Sequence, residues 1–91
     1  MSKITVNDLN LGYHLVFTDY EELFLIKVVR DFQNIKIGLV EKCLCIPGNV
    51  YSSPIRDSKI LLLESYSVEE FEKLEKLDYK PIKCKYPEYF I

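Results

Sequence analysis

Histidine occurs once in this chain and tryptophan not at all, and three glycines with four prolines make only seven chain breakers in 91 residues. Few breakers, with a composition that is 48% hydrophobic and 29% charged, exclude a disordered or low-complexity chain and point to a folded globule. With a single histidine, any imidazole-based acid/base or nucleophilic scheme must run through His14. That residue lies in an apolar run with no Ser, Cys or Asp at a spacing that predicts a triad, so the chain reads as non-enzymatic. Gly12, Gly38 and Gly48 are isolated, which excludes a glycine-rich phosphate loop. No apolar run approaches the roughly 20 residues of a membrane helix. The first ten residues carry no basic-then-apolar signal pattern, so a cytoplasmic protein without membrane contact is expected.

Cysteine is also short and odd in number: Cys43, Cys45 and Cys84. Cys43 and Cys45 are too close in an extended strand to pair with each other, so reduced thiols are expected. Together with His14 they reach the count of a Cys3His zinc set, but zinc ligands come in pairs on tight turns and these do not. No metal and no cofactor is expected. The formal net charge of −2 offers no overall attraction to nucleic acid.

What is present is helix-start chemistry. Thr18-Asp19-Tyr20-Glu21 and Ser67-Val68-Glu69-Glu70 both have the form of a capping box, in which a hydroxyl takes the N–H three residues on and that residue's Glu reaches back. After Thr18, Phe24, Leu25, Val28, Val29 and Phe32 fall within one arc at about 100° per residue, which predicts a helix. After Ser67, Val68, Phe71, Leu74 and Leu77 recur every three residues among Glu and Lys, which predicts a second. Strands are expected at Leu11 to Phe17, where Tyr13, Leu15 and Phe17 alternate with His14 and Val16, and at Ile35 to Ile46. In the latter a phase change at Val40 to Lys42 predicts a bulge. Ile60 to Leu63 is apolar on both faces and reads as a central strand; Pro81 to Tyr86, with Pro81 and outward lysines, reads as an edge strand.

The resulting order, βαββαβ, specifies an α+β class and a ferredoxin-like sandwich: one domain over residues 1–91, a four-stranded antiparallel sheet, and both helices on one face. In that arrangement His14 and Val16 face outward on an apolar sheet surface. Leu23, Ile26 and Arg30 lie on the outer side of the first helix, and the aromatic end of the chain, with Tyr89 and Phe90, supplies further anchors or folds back to close the core. The longest irregular connection adds Tyr51, Ser52, Ser53, Arg56 and Asp57 as loop contacts. These features predict a small interaction module that binds a protein partner or a second copy as a homodimer, a size and character that would suit an adaptor or inhibitor encoded by a virus or mobile element. The alternative is a nucleic-acid or nucleotide binder using Lys36, Lys42, Lys83 and Lys85. It is not favoured, because no aromatic side chains fall on the exposed face of the central strands in this register.

Overall fold

The computed structural model describes residues 3–44 and 53–90. Four strands precede two helices: β1 (Gly12–Thr18), β2 (Leu23–Arg30), β3 (Lys36–Cys43), β4 (Ile60–Tyr66), α1 (Val68–Lys76) and α2 (Lys80–Lys85), with single 3-10 turns at Val6–Asp8 and Pro87–Tyr89. The strands form one antiparallel sheet in the order β3-β2-β1-β4. Three hairpin-connected strands with a fourth returning beside the first make a Greek key. The class is α+β, as expected, but the ferredoxin-like βαββαβ order is not: β1, β2 and β3 all come before either helix.

The largest correction is β2, which the periodicity places in a helix. Leu23 to Val29 is also a nearly unbroken run of aliphatic, aromatic and β-branched side chains. In the sheet interior such a run buries both of its faces, whereas a surface helix would leave about half of it in water. Leu23, Phe24, Leu25, Ile26 and Val28 are all buried. The Thr18 box accordingly caps no helix. Its hydroxyl oxygen accepts from the N–H groups of Tyr20 and Glu22, each at 3.2 Å, inside the β1–β2 turn, where Glu21 takes φ 60°.

Two further expectations are corrected. Ile60 to Leu63 belongs to β4, an edge strand. Its apolar character is used against α1, α2 and the chain end on one face and the N-terminal segment on the other. Pro81 to Tyr86 is not a strand, because Lys80–Lys85 is α2, with Pro81 in the first helical turn, where a missing N–H costs nothing. The Ser67 box forms as read: Ser67 Oγ accepts from the Glu70 N–H at 3.1 Å, and the Glu70 carboxylate accepts from the Ser67 N–H at 2.9 Å. The bulge in β3 is also present, since Leu25 faces Lys42 and Ile26 faces Val40, leaving Glu41 as the extra residue.

Each sheet face has its own core. On one, Leu15, Leu23 and Leu25 pack against Phe71, Leu74 and Ile82 of the helices. There Tyr13 stacks on Phe71 at 4.0 Å and Tyr89 meets Phe17 at 4.8 Å, so the aromatic chain end folds back. On the other, Val16, Phe24, Ile26, Val28 and Ile60 are covered by Val6, Leu9 and Ile55. The covering segments also bond to the sheet edges. Ile4 exchanges two backbone bonds with Ile60 on β4, at 2.9 and 2.7 Å, and Ile55 exchanges two with Gly38 on β3, both at 2.8 Å. Edge groups so occupied are withdrawn from pairing with another chain.

Candidate interaction site

The β2–β3 turn is built around Asp31. One carboxylate oxygen accepts from the N–H groups of Gln33 and Ile35, both at 2.9 Å, and the other faces Arg56 at 3.5 Å. The backbone adds Asn34 N–H to Asp31 C=O and Asp31 N–H to Ile35 C=O, each 2.9 Å, and Arg30 reaches the Asn34 carbonyl at 3.3 Å. Asn34 supplies the left-handed residue that closes the turn, at φ 65°. The hydrogen bond from Ile35, with those from Gln33 and Arg56, outweighs desolvation and holds the Asp31 carboxyl below its ordinary range, so the acceptor stays ionised at neutral pH.

The turn holds up Phe32, whose side chain is 96% exposed, the most exposed of the large apolar side chains described. Two further large apolar side chains are exposed in the same hairpin: Ile35, 48% exposed, at the end of the turn, and Leu39, 39% exposed, opposite Lys27 in β3. Periodicity assigns Phe32 to a core arc. The overlooked signal is Asp31 with Asn34, a side-chain acceptor and a residue tolerant of positive φ placed to close a hairpin.

The residues singled out from the sequence separate. Leu23 and Ile26 are fully buried on opposite faces of β2 and Val16 is fully buried in β1, so these three present no surface to a partner. Arg30 is exposed and reaches the turn through the Asn34 carbonyl, and Arg56 joins the same turn through Asp31. Tyr89 and Phe90 are half-buried in the helix-side core. Ser53 and Asp57 are exposed, whereas Tyr51 and Ser52 lie outside the described residues. Of the four lysines, Lys36 donates to the Leu9 carbonyl at 2.7 Å, Lys42 lies over the ring of Tyr79, just before α2, at 5.8 Å, and Lys83 and Lys85 belong to α2.

His14, 5% exposed, is held between two partners. The Asn10 carbonyl can only accept, so Nε2, 2.7 Å away, carries the proton. Nδ1 pairs with the Ser65 hydroxyl at 2.7 Å. The two contacts tie β1 to β4 and to the N-terminal segment.

A second polar cluster lies where α2 meets β4. One Glu64 oxygen accepts from Tyr66 at 3.1 Å and Tyr86 at 3.0 Å, and the other faces Lys85 at 2.8 Å. Partial burial pushes the Glu64 carboxyl up, but the three donors prevail and hold it below its ordinary range. Burial first, and then the Glu64 charge, pushes the Tyr66 phenol well above its usual range. Beside this cluster is a cleft of about 120 Å³ lined by Glu64, Tyr66, Leu74, Pro81, Ile82 and Lys85. Among the described residues no three His, Cys, Asp or Glu side chains gather as metal ligands, and no helix is long and apolar enough to cross a membrane. No protein-family model, curated protein or solved structure matches the chain.

Proposed function

We propose that this chain is a small non-enzymatic interaction module that binds a protein partner or a second copy of itself, with Phe32 as its anchor. The observation that carries the reading is an aromatic side chain almost wholly in water on a turn whose conformation is over-determined. A mobile loop would lose rotamer and backbone freedom on docking. A turn already fixed by Asp31, Asn34 and Arg56 loses little, so more of the burial energy of the ring appears as affinity. Aromatic side chains and arginine are also the residues on which interface energy concentrates, and Arg30 and Arg56 are both tied to the turn that carries the ring, through the Asn34 carbonyl and Asp31. The contact surface is therefore the turn with Ile35 and Leu39, not the sheet face bearing His14 and Val16.

The test compares proteins retained from a lysate of the native cells by immobilised wild type, Phe32→Ala and Lys83→Ala. Lys83 is an exposed side chain on α2, away from the turn, and serves as the control. Proteins held by wild type and Lys83→Ala but released by Phe32→Ala are the expected result. Equal retention by all three variants overturns the reading.

A further inference from the structure

We propose that residues 80–90, α2 with the 3-10 turn at Pro87–Tyr89, form a strap that releases from β4 as one unit while the sheet and α1 stay folded, with Tyr79 as its hinge and Glu64 as its latch. The inference is independent of the Phe32 surface, which lies on the β2–β3 turn.

The hinge is a strained residue in a place where the strain can be relieved. Asp78 and Tyr79, between α1 and α2, take φ 53° and 59° in succession. At Asp78 this conformation closes α1. The Asp78 N–H donates to the Glu75 carbonyl at 3.1 Å and the Tyr79 N–H to the Leu74 carbonyl at 2.8 Å, the two bonds of a Schellman cap. At Tyr79 a bulky side chain bears the steric cost of the left-handed region. Both capping bonds are set by dihedrals that precede the Tyr79 Cα, so rotation about Tyr79 φ and ψ relieves that residue and leaves α1 capped. The bond lost at the hinge runs from the Lys80 N–H to the Leu77 carbonyl, at 3.2 Å.

The grip of the strap on the sheet is narrow. Among the described residues from 80 to 90, Ile82 alone is buried, with Tyr86, Tyr89 and Phe90 half-buried. The cleft of about 120 Å³ lies between Pro81, Ile82 and Lys85 on the strap and Glu64, Tyr66 and Leu74 beneath it, so part of the inner side lacks packing partners. A helix of six residues, without a side-chain cap or an acidic first turn, does not persist alone in water. Once off the sheet it unwinds, which makes release all-or-none. Glu64 ties strap to sheet by accepting from Lys85 at 2.8 Å and Tyr86 at 3.0 Å, and the Tyr86 hydroxyl also lies 3.4 Å from the Leu63 carbonyl. Release separates Tyr89 from Phe17 and uncovers Leu74 at the cleft, an apolar surface withheld while the strap is latched.

Residue-resolved amide hydrogen exchange of the full chain in rising urea tests this with wild type, Glu64→Gln and Ser67→Ala. In wild type Ile82, Tyr86, Tyr89 and Phe90 should share one protection factor, lower than that of Ile26 in β2 and less dependent on urea, because the opening exposes little surface. Glu64→Gln weakens the latch and should lower the protection of all four by about fivefold. Ser67→Ala weakens the start of α1, which stays folded in the open form. It should speed exchange at Ile26 by about fivefold and leave the four strap residues unchanged. Lys85→Met, at a largely exposed position, takes the place of Glu64→Gln if that variant unfolds. Protection that is absent from the strap, or that falls step by step from Ile82 to Phe90, overturns the proposal in favour of simple fraying. Strap residues that respond to Ser67→Ala as Ile26 does, or that ignore the latch substitution, overturn it as well.

Discussion

The two capping boxes have the same sequence form and opposite fates, and exchanging their hydroxyls for methyl groups tests whether tertiary context explains the difference. Ser67→Ala removes the acceptor for the Glu70 N–H at the start of α1. Loss of such a cap costs about 1 kcal/mol, while glycine at the same position costs only a few tenths. With about 2.1 cal/mol/K of unfolding entropy per residue, 91 residues carry about 190 cal/mol/K, so a loss of about 1 kcal/mol lowers Tm by about 5 °C. Ser67→Gly should therefore stay within about 2 °C of wild type, and Ser67→Ala should also speed amide exchange in the first turn of α1. Thr18→Ala removes an acceptor for Tyr20 and Glu22 in a hairpin turn and begins no helix. It should leave ellipticity at the helical band unchanged and accelerate exchange only around the β1–β2 turn. Circular dichroism with residue-resolved hydrogen exchange reads both variants. A loss of helical signal in Thr18→Ala, with protection falling in a 3.6-residue pattern through residues 23–30, would refute the assignment of β2 as a strand.

Two other perturbations test the packing and the polar cluster. An added Cβ at Gly38 would lie 3.1 Å from Ile26 Cδ1 and 3.3 Å from Val6 Cγ2, so Gly38→Val, which adds two further methyls to that space, should destabilise by about 1–3 kcal/mol in urea unfolding. For Glu64 the folded pKa lies below the unfolded value, near the ordinary 4.5. Its stabilisation is therefore complete above that value and is lost as the pH falls through the folded pKa. Glu64→Gln should flatten the acid limb of the stability profile below about pH 4.5, measured as urea midpoints against pH, and leave the slope above pH 6 unchanged; an acid limb equal to that of wild type would remove Glu64 from the account.

The candidate site was the least legible part of the chain, and the reason is physical. Phe32 follows Asp31 in a segment whose apolar spacing suits a helix, and a helix would bury it. Only pairing of β2 with β3 turns residues 31–35 into a hairpin tip and leaves the ring in water. The cleft was invisible for a related reason: Glu64, Leu74 and Ile82 come from three elements, and nothing in their spacing along the chain brings them together. Arg56 was legible as a loop residue, but its tie to Asp31 depends on how residues 53–59 return across the sheet edge.

Local physics settled much else in advance. A serine followed three residues later by a glutamate, before an apolar repeat at Phe71 and Leu74, forms α1 because its capping bonds lie within one turn of chain. The alternation in β1 and the phase change at Glu41 likewise declared a strand and a bulge, since a period of two leaves each residue one face. Tertiary structure alone decided residues 23–30 and 80–85. The first segment satisfies a helical arc and a two-faced strand equally well. A turn cap worth about 1 kcal/mol is outweighed when five large side chains, each worth about 1.5–3 kcal/mol, are buried from both sides of a sheet. The second is six residues long, too short for a period of two to be told from one of 3.6, and it became a helix where Ile82 could reach the helix-side core.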